Sequence, residues 1–172
     1  MEPTIHMGDR ILANKLAYRT GELRRGDVAV FICPNKRHLK FIQRVAALPG
    51  DTAEMKGGEL YINDQKLPRT RISPAGGPPQ GTQETGEIYE EVNGGARYKT
   101  MLSPLGADEK SAALDFARTT VPNGHCFVLG DNRNVARDSR DFGPVPLADI
   151  VGRAEYVYLP RWAKLTSQDS DR

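Results

Sequence analysis

Long apolar runs are missing from this chain. No stretch approaches the roughly 20 consecutive apolar residues that a membrane-crossing helix needs, and its opening residues are not expected to be a signal peptide. Met1-Glu2-Pro3-Thr4 runs almost at once into strand-like sequence, as expected of a fragment whose natural N-terminus lies upstream. Metal-binding patterns are missing too. His6, His38 and His125 show no ligand spacing, and neither CxxC nor HExxH occurs. No metal and no other cofactor is expected. No charge dominates: 24 Lys and Arg stand against 22 Asp and Glu, a net of +2. No basic cluster is interleaved with aromatics, which argues against nucleic acid as a partner. Cysteine is scarce. Cys33 and Cys126 each sit in or beside an apolar run, so buried free thiols are the simpler reading and a disulfide the alternative. Helix signals are few, with residues 107–116 the main candidate.

What remains is β. The chain has 172 residues, 38% hydrophobic and 27% charged, which suits one domain, or one domain with a large insertion. Short strand-like runs recur with turns every eight to twelve residues, giving a mostly β fold class. Residues 10–16 (RILANKL) and 28–33 (VAVFIC) read as strands, with a polar loop at 19–25 between them. Gly57-Gly58 marks a hairpin, Asn63-Asp64 a second one, and Asn93-Gly94-Gly95 a third. Residues 69–87 are rich in Pro, Gly, Thr and Gln and read as a flexible surface loop. Strands flank Pro122-Asn123-Gly124, and residues 150–159 (IVGRAEYVYL) form the last strand, ahead of a charged tail expected to be disordered.

Two stretches stand out. In residues 39–51 (LKFIQRVAALPGD), Leu39, Phe41, Val45 and Ala47 share one face of a strand, and Lys40, Ile42, Arg44 and Ala46 share the other. Gln43 interrupts the apolar face, where a polar side chain needs a partner or a function. Taken locally, a hydrogen-bonded core glutamine accounts for it. The second stretch is residues 130–140 (GDNRNVARDSR). Its Asp131, Arg133, Arg137, Asp138 and Arg140 suggest interleaved ion pairs, either on a solvated loop or in a structured turn that stiffens a platform.

Taken in order, residues 1–9 (MEPTIHMGD), 25–31 (RGDVAVF), 41–51 (FIQRVAALPGD) and 130–140 (GDNRNVARDSR) resemble the motif blocks of the type I signal peptidases. These are membrane-anchored serine endopeptidases with a Ser-Lys dyad. The resemblance spans nearly the whole chain. It implies a β-rich catalytic-type core from residues 1–51 and 123–160, an inserted smaller β domain at 52–122 and a tail at 161–172. It also implies signal peptides or extended segments of exported proteins as partners. The expected place is the extracytoplasmic face of the bacterial plasma membrane, with the anchor upstream. Tyr156, Tyr158 and Trp162 are candidates for contact with the membrane surface, with ordinary packing the alternative.

Residue by residue, the catalytic positions depart from that resemblance. The family's nucleophilic Ser would precede Met1. Its general-base Lys falls on Gln43, and the Ser that supports the Lys ammonium falls on Ala136. Arg44, Gly130, Asp131, Asn132, Arg133, Asp138, Ser139 and Arg140 match the scaffold of the site. Met1, Ile5, Val30, Phe41 and Ile42 match positions that contact substrate. A Gln amide holds no proton near neutral pH, and Lys40 on the opposite strand face is no substitute. The expectation is a homologue that binds peptides without cleaving them. An active peptidase with a Ser supplied upstream and an unrecognised base is the alternative. A self-cleaving Ser-Lys repressor is disfavoured, because no DNA-binding segment is present.

Overall fold

Alternating apolar residues and glycine turns build the chain from short antiparallel strands. The computed structural model describes residues 1–72, 86–103, 114–160 and 163–165. In chain order the elements are β1 (Arg10–Asn14), α1 (Ala17–Thr20), β2 (Val28–Ile32), β3 (Lys40–Ala47), β4 (Thr52–Lys56), β5 (Glu59–Ile62), β6 (Gln65–Lys66) and β7 (Arg69–Ile72). There follow β8 (Glu87–Asn93), β9 (Ala96–Leu102), β10 (Phe116–Thr120), β11 (His125–Leu129), α2 (Ser139–Phe142), β12 (Val145–Pro146), β13 (Ile150–Leu159) and β14 (Ala163–Lys164). The fold is mostly β. Among the described residues the strands form three sheets. A seven-stranded sheet runs β1-β13-β2-β3-β11-β12, with β14 on β13. A four-stranded sheet runs β10-β4-β5-β6, and a three-stranded sheet β7-β8-β9.

The large sheet is packed on both faces, which is why VAVFIC reads as a nearly continuous apolar run. Ala29, Phe31, Val45, Cys126, Val128 and Val145 fill one face. Ile5, Val28, Val30, Ala154, Val157 and Leu165 fill the other. A third cluster, including Ala46, Met55, Leu60, Phe127 and Leu129, ties β3 and β11 to the four-stranded sheet. The Leu-Pro-Gly-Asp turn between those sheets closes through Gly50 at φ +84°. It is locked by Asp51, whose carboxylate accepts from Leu48 N at 2.7 Å, Arg25 Nε at 2.9 Å and Asn63 Nδ2 at 2.9 Å.

The hairpins stand where the turn residues placed them. Lys56 pairs with Glu59 around Gly57-Gly58, and Asn93 pairs with Ala96 around Gly94-Gly95. Four details differ from the sequence reading. The expected loop at 69–87 opens as a strand, because Arg69–Ile72 finds β8 as a partner. Its centre, 73–85, lies outside the described residues. The polar loop expected at 19–25 begins as the end of a short helix, α1, which covers Ala17–Thr20. The helix expected at 107–116 lies mostly outside the described residues, and Phe116 begins a strand. Within the charged tail, β14 pairs with Tyr156 and Val157, and Leu165 is buried against the large sheet. A short apolar turn in polar sequence is too small a signal to read without its docking surface. Trp162 lies outside the described residues.

Cys33 and Cys126 are both free and buried, and burial pushes the Cys126 thiol up to about 12. The thiolate is the reactive species. Native protein at pH 8 should therefore take up iodoacetamide at neither position until it is unfolded, as read by intact mass. Rapid native labelling of Cys126 would contradict this burial.

Candidate active-site cleft

Register brings the two unusual stretches together. β3 pairs with β2 from Lys40 to Arg44, and with β11 from Arg44 to Ala47. Among the described residues, the backbone at 41–43 therefore meets no strand on its second side. Residues 130–140 follow β11 and fold back beside this gap. Met1, Ile5, Phe41, Ile42, Gln43, Asn132 and Ala136 line one cleft of about 570 Å³, with Glu2, His6, Met7, Val135 and Arg137 completing it. Val30 stands behind that wall, in the cluster with Met1, Ile5 and Ile42. Among the described lining residues none carries a hydroxyl or a thiol.

Gln43 is 8% exposed. Its Nε2 donates to the Arg137 carbonyl at 3.0 Å, while its Oε1 is buried without a hydrogen-bond partner among the described residues. That orphan acceptor costs about 1–3 kcal/mol. The sequence reading of a satisfied core glutamine is thus half right. Lys40 is exposed. Gly130 sits against Gln43 because nothing larger fits. A Cβ there would lie 2.2 Å from Ala136 Cβ and 2.9 Å from Gln43 Oε1. Gly130→Ala should destabilise the fold by about 1–3 kcal/mol, read as a lower urea midpoint with an unchanged slope. An unchanged midpoint would mean that the contact is not tight.

Behind the cleft lies a buried charge network. Arg44 grips Asp131 through Nε–Oδ1 at 2.7 Å and Nη2–Oδ2 at 2.6 Å, and donates through Nη1 to the Gly26 carbonyl at 2.8 Å. Thr4 joins the pair, donating its hydroxyl to Asp131 and accepting from Arg44 Nη2 at 3.3 Å. Burial works against the Arg44 charge, but Asp131 outweighs it and holds the guanidinium above its ordinary value. Arg133 donates to Glu91 at 2.6 and 3.0 Å, and through Nε to the Gly130 carbonyl at 3.2 Å. Tyr98 links the two halves. Its hydroxyl donates to Glu91 at 2.8 Å, and the Arg44 guanidinium lies 4.2 Å from its ring centre. Burial, then Glu91, pushes its phenol upward.

Asp138 accepts from Gly130 N at 2.9 Å and from Arg140 Nε and Nη2, each at 2.8 Å. It also caps α2, in a capping box with Asp141. Ser139 Oγ accepts from Val128 N at 2.9 Å. Asn132 donates to Ser103 Oγ at 2.8 Å.

The loop at 130–140 is therefore a structured platform rather than a solvated turn. Its charges are not interleaved among themselves as expected: only Asp138–Arg140 closes within it, and Asp131 and Arg133 reach outside. Sequence reasoning missed Glu91, Tyr98 and Thr4 as members of the site. Thr4 lies inside a motif block and could have been found there. Tyr98 lies in a stretch, 98–100, that resembles the family's connecting sequence, but neither it nor Glu91 carried a signal of a place in the site.

Residues 1–159 match the family described as signal peptidase, peptidase S26. The signal peptidase I of Bacillus caldolyticus is 34% identical over 93% of this chain and 75% of its own length. The signal peptidase IB of Staphylococcus aureus strain Mu50 is 32% identical over 93% of this chain and 73% of its own length. Among solved structures, a signal peptidase I from Enterococcus faecalis V583 aligns at a TM-score of 0.44 and 27% identity, covering 77% of this chain and 96% of that one.

Proposed function

The chain belongs to the signal peptidase family, peptidase S26, and from that premise we propose that it binds extended segments of exported proteins, signal peptides among them, without cleaving them. The second side of β3 at 41–43, which meets no strand among the described residues, supports the binding half. An incoming strand adds its main-chain hydrogen bonds to an open edge, and Met1, Ile5 and Ile42 offer apolar contact for its side chains. The place of action is the extracytoplasmic face of the plasma membrane, where exported chains emerge. No helix among the described residues is long and apolar enough to cross a membrane. In this reading the large sheet is the catalytic-type core, and residues 52–122 are an insertion that supports it.

The observation that carries the silent half is Gln43. At the place of the family's general base stands an amide that donates to Arg137 O and leaves Oε1 unpartnered. A serine nucleophile needs a neighbouring base to take its proton. A lysine does this when burial lowers its pKa, whereas an amide has no proton-accepting state in that range. Ala136 beside it carries no hydroxyl to orient an ammonium.

Two measurements test the reading. A labelled signal-peptide segment should bind saturably in fluorescence anisotropy and remain intact by mass spectrometry. Ala136→Leu, which fills the cleft, should weaken binding about tenfold. Accumulating product from the unaltered chain would end the silent half, and absence of binding would end the other. In a chain extended by Ser before Met1, cleavage should also require Gln43→Lys and Ala136→Ser. Full cleavage with the serine alone would show that the account of Gln43 is wrong.

A further inference from the structure

The cleft is built on the large sheet, but its rear is held by side chains from the three-stranded one. Glu91 on β8 and Tyr98 on β9 are 1% and 7% exposed. They meet two buried arginines, Arg44 and Arg133, whose other carboxylate neighbour is Asp131. Each arginine holds part of the cleft. Arg133 Nε ties the Gly130 carbonyl, whose residue packs on Gln43 and Ala136. Arg44 and Asp131 tie Thr4, which closes the N-terminal turn by donating from its backbone to the Met1 carbonyl at 3.0 Å.

We infer that Glu91 is a positioning residue for peptide binding: through Arg133 it sets where the 130–140 wall stands against Gln43 and Ala136. The inference rests on the peptide-binding reading above. Glu91 touches no cleft residue directly. Its two oxygens engage both Nη groups of Arg133, leaving Nε aimed at Gly130 O. Without the Glu91 charge, Arg133 remains a buried cation, and Asp131 is the next carboxylate that acts on it. Arg133 then turns toward Asp131, releases the Gly130 carbonyl and competes with Arg44. Both walls of the cleft shift, although no lining residue has changed. A scaffold of this kind must be supported to within a fraction of an ångström to be selective.

The test separates positioning from mere stability. Three proteins are compared at a temperature where all are folded: the unaltered chain, Glu91→Gln, and the paired Glu91→Leu/Arg133→Met. Removing both charges together relieves the unpaired cation and should restore much of the thermal stability that Glu91→Gln loses. It does not restore the tie to Gly130. Peptide affinity, measured by the same anisotropy titration, should fall about tenfold in Glu91→Gln and stay down in the pair. The Gly130 amide and Gln43 side-chain amide resonances should move in both variants, and that of Gly124 should not. Affinity that recovers in step with stability in the paired variant would overturn the inference and leave Glu91 a structural residue. Should Glu91→Gln not fold, the paired variant decides alone: wild-type affinity and an unmoved Gly130 amide would refute the positioning role. Absence of binding by the unaltered chain is the separate failure of the function proposed above.

Discussion

Replacing Asp131 by alanine should cost about 3–5 kcal/mol of folding stability, because it strips the counter-charge from a buried arginine. Asp131 and Arg44 are 1% and 3% exposed. Two hydrogen bonds join them, and burial leaves the Arg44 guanidinium little access to solvent. The Thr4 hydroxyl loses its acceptor as well. A neutral replacement of both partners, Arg44→Met with Asp131→Leu, should be less damaging than Asp131→Ala alone, since a buried pair contributes less than the penalty of orphaning one member. Urea unfolding monitored by circular dichroism measures all three proteins. A loss below about 1 kcal/mol for Asp131→Ala would place this pair with ordinary surface ion pairs.

Asp138→Ala is expected to come close behind, at about 3–4 kcal/mol. This carboxylate is 0% exposed. It caps α2 through Arg140 N at 3.1 Å, accepts from two nitrogens of the Arg140 side chain, and accepts from Gly130 N at 2.9 Å. Loss of an N-cap costs about 1 kcal/mol, and each hydrogen bond to a charged group about 1.5–3. Those losses overlap, because one carboxylate serves them all. Asp138→Asn separates them. Asparagine caps a helix as well as aspartate does, so it should retain about 1 kcal/mol of what alanine loses. Equal losses in urea unfolding for the two variants would mean that the cap contributes nothing and the Arg140 pairing carries the whole effect.

Much of the fold was legible because it is locally encoded. Gly57-Gly58 and Gly94-Gly95 adopt positive φ, and only a tight hairpin uses such a pair in that way. The strand at 40–47 was legible from its alternation. β7 was not: Arg-Thr-Arg-Ile is short and polar, and it is a strand because β8 offers it a ladder. The site divides in the same way. Gln43, Ala136 and the 130–140 loop were visible through their motif blocks. Glu91 was not, because its neighbour Glu90 is chemically the same. Glu90 pairs with Arg97 at the surface, and Glu91 is sealed against Arg133 and Tyr98. Successive residues of a strand point to opposite faces, and nothing in the local sequence Glu-Glu says which face is inside.

Most of the strand and turn pattern, the amide side chain at position 43 and membership of the signal peptidase family can be read from the residues in order. The turns and the amide are properties of single residues and near neighbours, and the family is a matter of short blocks in a fixed order. Which charges are buried together emerges once the sheets have packed. Arg44 meets Asp131 across 87 positions of chain and Arg133 meets Glu91 across 42. The strength of such a pair depends on the water excluded around it, which is set by how the large and three-stranded sheets pack rather than by any stretch of sequence.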